Sequence, residues 1–71
     1  MAKSVRVNTL ALKAIIDNGT RSVRKIAREA GVNHSLLVFL YNGQRDHILP
    51  ETADKIASAF NTERGAICLP E

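Results

Sequence analysis

The fold of this chain is decided by residues 22–43, SVRKIAREAGVNHSLLVFLYNG. The segment predicts two short helices joined by a tight turn at Gly31, because glycine readily adopts the positive φ that such a turn requires. The spacing of its apolar residues predicts that the two helices bury them between each other and the rest of the domain. These residues are Ile26, Ala27, Ala30, Val32, Leu37 and Leu40.

A further helix precedes this segment. The side chain of Asn8 or Thr9 can accept from free backbone N–H groups at its start, and Gly19 is expected to end it in a left-handed conformation. Its expected buried stripe consists of Leu10, Leu12, Ile15 and Ile16. Residues 1–7 are expected to form a short basic leader outside a domain of residues 8–71.

Turn and cap residues divide the remainder of the chain. Ser22 is expected to cap the second helix, 23–30, and Asn33 or His34 to open a third that runs to about residue 41. A polar loop, 44–49, then leads to a fourth helix that begins at Pro50, where a missing N–H costs little. A final short turn is expected near residues 61–67. The predicted fold is all-α, a compact domain of four to five helices.

Composition limits what the protein can be. Its 71 residues allow one small domain, and its single cysteine, Cys68, cannot form an internal disulfide. The longest apolar run, 36–41, is far shorter than the ~20 residues of a membrane span. One cysteine and two histidines argue against a zinc site, and neither His34 nor His47 has a catalytic partner in the pattern. We expect a cytoplasmic protein without enzymatic activity, metal, cofactor, small-molecule ligand or membrane association.

The net charge of +3 is unevenly distributed. Residues 1–19 carry +2, residues 20–45 carry +4 and residues 46–71 carry −3. The basic charge therefore coincides with the predicted helix pair, where it is available to neutralise phosphates. An ordinary solvated surface explains the same asymmetry equally well.

The spacing around Gly31 is typical of a helix-turn-helix. Ala27 lies four residues before the glycine, Val32 directly after it, and Leu37 and Leu40 at six and nine residues. The pattern continues with YNGQR (41–45), Pro50 and IASAF (56–60). Over residues 10–60 the chain resembles the lambda-repressor/Cro-like helix-turn-helix DNA-binding family.

The resemblance implies that the third helix meets base edges in the major groove and that the second helix meets the DNA backbone. The implied base-reading residues are Asn33, His34, Ser35, Val38 and Phe39. The implied backbone contacts are Arg21, Ser22, Arg24, Lys25, Arg28, Asn42, Gln44 and Arg45. Lys3 and Arg6 are candidates for an N-terminal arm along the groove.

Several of these residues have alternative roles. Asn33 either reads a base or only caps its helix, and Asn42 either contacts the backbone or only ends the third helix in a left-handed conformation. Lys25 either contacts phosphate or forms an ordinary surface pair with Glu29. Phe39 contacts a thymine methyl group, folds into the core, or serves a protein partner.

The function implied is sequence-specific regulation of transcription by a Cro-like or phage-type repressor. It would occlude operator DNA as a homodimer, with a dimer surface in the acidic C-terminal part that includes Ile67 and Leu69. One alternative is a protein-interaction adaptor on the same fold, with Leu36, Val38 and Phe39 as the binding patch. Another is an architectural or recombination-directionality factor.

Overall fold

A computed structural model of the chain describes residues 3–69, which form four α-helices and a two-stranded antiparallel sheet. The elements are β1 (Val5–Arg6), α1 (Thr9–Asn18), α2 (Val23–Ala30), α3 (His34–Tyr41), β2 (His47–Ile48) and α4 (Pro50–Ala59). A single 3₁₀ turn, Arg64–Ala66, follows α4. The domain is mostly helical, as expected, and also contains a small sheet that the sequence pattern did not predict.

The helices begin at the residues that the sequence indicates. The side chains of Asn8, Ser22 and Asn33 each accept a hydrogen bond from a backbone N–H in the first turn, at 3.1, 3.2 and 2.8 Å. Each bond satisfies a donor that has no partner within the helix. Pro50 occupies the first position of α4, which has no side-chain cap.

The helix ends follow the prediction less closely. Gly31 ends α2 at φ +73°, in the left-handed conformation expected for it. Gly19, however, is extended, because its N–H donates to the Ile16 carbonyl at 3.1 Å and closes α1 with a tighter last turn. Asn42 remains right-handed, since its N–H still donates to the carbonyl four residues earlier, and Gly43 takes the positive φ of +76°.

The hydrophobic core lies between the helices and takes residues from all four α-helices, from β2 and from Val7 directly after β1. Leu12 and Ile16 bury the inner face of α1, as predicted, but Leu10 is 80% exposed. It lies two residues before Leu12, and residues two apart do not share a helix face. The buried residues are Val7, Leu12, Ile16, Ile26, Ala27, Leu37, Leu40, Ile48, Ala53, Ile56, Ala57 and Ile67.

The expected leader belongs to the folded domain from residue 5 onward. β1 pairs antiparallel with β2, which lies in the segment expected to be a polar loop. Directly after β1, Val7 forms an isolated antiparallel β-bridge with Cys68, and Val7 is 2% exposed. Residues 5–7 are therefore paired with, or packed against, the rest of the domain.

The C-terminal segment also differs from expectation. Ile67 is fully buried in the core, so its side chain is unavailable to the dimer surface in which it was placed. Leu69 remains 36% exposed. None of the helices within residues 3–69 is long and apolar enough to cross a membrane.

Candidate functional site

Two consecutive helices, α2 and α3, pack against each other and present the candidate site. Ala27 is buried in α2, and its carbonyl accepts a hydrogen bond from the N–H of Val32 at 3.0 Å, directly after the Gly31 turn. The N-cap residues of both helices, Ser22 and Asn33, remain exposed.

The start of α3 carries three exposed polar residues, Asn33, His34 and Ser35. Asn33 is the helix cap, and its Oδ1 accepts from the Ser35 N–H at 2.8 Å. Capping uses one lone pair of that oxygen and leaves a second lone pair and the NH₂ donors. The cap and the base-reading role are therefore compatible. The side chains of His34 and Ser35 form no hydrogen bond to any residue of the described range.

The next turn of α3 is apolar and only partly covered. Val38 is half-buried, whereas Phe39 is 45% exposed and does not fold into the core. Phe39 lines an open cleft of about 430 Å³ between α3 and the segment that leads into α4. Its walls are formed by Asn33, Ser35, Leu36, Phe39, Arg45, Ile48, Leu49 and Thr52.

Sequence reasoning missed three walls of this cleft, Ile48, Leu49 and Thr52. Ile48 lies in β2, Leu49 directly before α4 and Thr52 in α4, and only tertiary packing brings them beside α3. Leu49 precedes Pro50 and is extended, with ψ 146°, as a residue before proline prefers. Pro50 is the one local feature of the sequence that predicts this extended conformation. It does not predict that Leu49 is 51% exposed in the cleft that Phe39 also lines.

Three cations form an exposed basic surface on α2. Arg24, Lys25 and Arg28 line a shallow depression of about 330 Å³ together with Ser22 and Glu29. Arg24 and Arg28 are four residues apart and so share a helix face. None of the three cations forms a salt bridge with a carboxylate of residues 3–69. Their charge is therefore available to an anionic ligand.

Arg21 has a different environment from these cations. Its guanidinium pairs with Glu29, donates to the Ala59 carbonyl at 3.0 Å, and lies 5.4 Å from the centre of the Phe60 ring. These contacts assign it a structural role in place of the expected phosphate contact. They also engage Glu29, which pairs with Arg21 and not with Lys25.

The loop after α3 holds three further candidates, Asn42, Gln44 and Arg45, all exposed. The Nε of Arg45 donates to the His47 carbonyl at 3.1 Å. This bond fixes the side chain against β2 while the two terminal nitrogens of the guanidinium keep their donors. Arg45 also lines the cleft beside Phe39.

The proposed N-terminal arm is only partly consistent with the structure. Lys3 is exposed. Arg6 lies in β1, and its Nε is 3.5 Å from an Asp46 carboxylate oxygen, although 62% of its side chain remains accessible. The other Asp46 oxygen is 2.6 Å from the His47 Nδ1. Arg6 is therefore held on the domain and is not part of a free arm.

Two titratable groups outside these surfaces have shifted pKa values. The Tyr41 hydroxyl donates to the Asp17 carboxylate, which raises the tyrosine pKa. The pKa of the Cys68 thiol is raised by burial and by Asp54, against the opposing effect of Arg64. A raised pKa lowers the thiolate fraction on which cysteine nucleophilicity depends.

Comparison of the chain with protein-family models, with curated proteins and with solved structures gave no match. The chemistry of the surface itself is what indicates a function. The surface combines cations on α2 that have no carboxylate partner within residues 3–69, polar donors and acceptors at the start of α3, and a partly apolar cleft that Phe39 and Arg45 both line.

Proposed function

We propose that the protein is a sequence-specific double-stranded DNA-binding regulator of transcription in which α2 and α3 act as a helix-turn-helix. The observation that carries this proposal is the group of three exposed cations, Arg24, Lys25 and Arg28, without carboxylate partners in residues 3–69. Phosphates of a duplex provide a row of anions for such a group, and the release of their counterions favours binding.

Base readout in this proposal belongs to the exposed start of α3. His34 and Ser35 offer side chains without internal hydrogen bonds, and Asn33 offers its NH₂ group while it caps the helix. These groups match the donors and acceptors that base pairs present in the major groove. Val38 and Phe39 follow on the next turn, and Asn42, Gln44 and Arg45 contact the backbone beyond the helix.

The regulator acts as a homodimer in this proposal, like the Cro and repressor proteins that the sequence resembles over residues 10–60. Two copies of α3 would read half-sites about one helical turn apart. Occupation of the operator in a bacterial or phage-infected cell would then block transcription. Leu69, in the C-terminal segment, is an exposed apolar residue that a second copy can cover.

The proposal is tested by selecting duplexes from a random library and measuring their affinity as the salt concentration rises. We expect log K to fall linearly with log salt, and Arg24→Ala to flatten the slope by about 1. Lys55→Ala, which removes an exposed cation of α4, is the matched control and should leave the slope unchanged. Failure to bind any duplex at low salt would overturn the proposal.

Base readout is tested separately with a double variant, His34→Ala with Ser35→Ala. Loss of base contacts should weaken binding to the selected duplex more than binding to a scrambled one, because phosphate contacts are common to both. Equal losses on the two duplexes would contradict the assignment of His34 and Ser35 to base reading.

A further inference from the structure

The cleft beside α3 is lined by apolar and polar residues. Leu36 is half-buried, and the side chains of Phe39 and Leu49 are 45% and 51% exposed, so apolar surface in the cleft faces solvent. Asn33 and Arg45 contribute polar groups to the same lining. Burial of exposed apolar side chains is favourable, so the binding of a small apolar group in this cleft would be favourable.

The charges around the cleft restrict what that ligand can be. Among residues 3–69, one cation, Arg45, lines the cleft and no carboxylate does. The bond from the Arg45 Nε to the His47 carbonyl leaves the terminal guanidinium nitrogens free to donate, and a guanidinium suits phosphate geometry. The complementary ligand is an anion that also presents an apolar group.

Duplex DNA meets both requirements at one type of position. In the major groove, thymine presents an apolar C5-methyl group among donors and acceptors. 5-Methylcytosine carries the same group on the same ring atom, whereas uracil and cytosine carry hydrogen there. The cleft therefore matches a chemical feature that distinguishes methylated from unmethylated pyrimidines.

We propose that the cleft binds the 5-methyl group of a pyrimidine in duplex DNA and that Phe39 determines this preference. The proposal rests on the DNA-binding function and adds the base chemistry that the site selects. Thymine and 5-methylcytosine are accepted, and uracil and cytosine are disfavoured. Arg45 is a positioning residue that holds the adjacent backbone against the cleft.

The size of the effect follows from the area of one methyl group. Burial of a group of this size contributes about 0.8 kcal/mol, which corresponds to about a fourfold change in affinity for each occupied cleft. A dimer that uses two clefts would multiply the two factors, provided that the half-sites act independently.

The experiment uses a duplex selected from a random library with the full chain, in which each thymine is replaced in turn by deoxyuridine. We expect affinity to fall about fourfold at one thymine of each half-site. At the same position, a 5-methylcytosine–guanine pair should bind about fourfold more tightly than a cytosine–guanine pair, which is its reference. Phe39→Ala should reduce the thymine-to-uracil ratio to about 1.

Leu10→Ala is the matched control, because Leu10 is an exposed apolar residue outside the cleft. This variant should keep the wild-type ratio. Phe39→Leu, which retains an apolar side chain, provides a second variant if Phe39→Ala does not fold, as judged by circular dichroism. It should give a ratio between those of the wild type and Phe39→Ala.

The outcomes separate the two proposals. If no duplex binds at low salt, the DNA-binding function itself fails. If selected duplexes bind but every thymine-to-uracil ratio is 1, or Phe39→Ala retains the wild-type ratio, only the methyl-reading inference is overturned. Salt-dependent DNA binding that Phe39→Ala leaves unchanged would likewise exclude DNA as the occupant of the cleft.

Discussion

The guanidinium of Arg21 donates a hydrogen bond to the carbonyl oxygen of Ala59 at 3.0 Å and thereby joins the start of α2 to the end of α4. The same group pairs with Glu29 on α2 and lies over the Phe60 ring. Arg21, which lies just before α2, therefore cross-links two positions that are 38 residues apart in sequence. Its neighbours Arg24, Lys25 and Arg28, by contrast, point their charge outward.

Arg21→Ala should lower the free energy of unfolding by about 1 kcal/mol, because a helix-terminal carbonyl and Glu29 both lose a charged partner at a half-exposed site. Urea denaturation measures this change. Arg24→Ala removes the same charge without removing an internal contact and should stay within about 0.5 kcal/mol of the wild type. Equal losses in both variants would contradict the structural role of Arg21.

For DNA binding the order of the two variants should reverse, with the larger effect in Arg24→Ala and the smaller in Arg21→Ala. Arg24→Ala should weaken binding to all duplexes similarly, because a phosphate contact carries no sequence information. Arg21→Ala should bind with the wild-type salt slope under conditions in which it is fully folded, since its guanidinium is already engaged. Fluorescence anisotropy at several salt concentrations distinguishes the two. A flattened slope for Arg21→Ala would show that Arg21 contacts the DNA backbone after all.

Gly31→Ala should destabilise the domain by about 1 kcal/mol, because φ is +73° and L-residues with a Cβ disfavour this conformation. A Cβ at this position would meet no atom within 4 Å, so the cost is conformational and not steric. Gly65→Ala is the matched control, since its Cβ is equally free and its φ is not positive. Thermal unfolding of both should show a loss for Gly31→Ala alone.

The local features of the fold could be predicted because neighbouring residues determine them. Ser22 and Asn33 cap helices through bonds to N–H groups two or three residues away, and the conformations of Gly31 and Pro50 are properties of those residues themselves. The helix starts and the α2–α3 turn therefore follow from short segments of sequence.

The remaining features depend on contacts between distant residues. The β1–β2 pairing involves two residues on each strand, too few to show an alternating pattern. In the sequence, Arg21 cannot be distinguished from the other cations of its segment, because only the folded chain brings the Ala59 carbonyl beside it. Leu49 likewise joins the cleft only when α4 packs near α3. Long-range packing decides which of several similar residues is structural and which is free to bind.

Helix α1 offers a direct test of how its faces are assigned. Leu12→Ala should cost about 2–5 kcal/mol, because Leu12 is fully buried and its truncation leaves a cavity. Leu10→Ala should change the free energy of unfolding by less than about 0.5 kcal/mol, since Leu10 is 80% exposed. Urea denaturation of the two variants compares the same chemical change on opposite faces. A large loss for Leu10→Ala at low protein concentration would contradict the assigned face.

A hydrogen bond from the Tyr41 hydroxyl to the Asp17 carboxylate joins α3 to α1. The ammonium of Lys13 lies 5.5 Å from the centre of the same ring. Ionisation of Tyr41 removes the donor and places a second negative charge beside Asp17, and the pKa of Tyr41 is accordingly raised. The bond therefore favours the neutral phenol in the folded state.

The raised pKa predicts a stability contribution that is fully present below the unfolded value of about 10 and is lost as pH rises through the higher folded pKa. Wild-type stability should therefore fall more steeply than that of Tyr41→Phe above about pH 10. The chain has one tyrosine and no tryptophan, so ultraviolet absorbance reports the ionisation of Tyr41 alone. Its midpoint should lie above the ordinary value and move down in Asp17→Asn, because the amide brings no negative charge. A midpoint that Asp17→Asn leaves unchanged would show that Asp17 does not cause the shift.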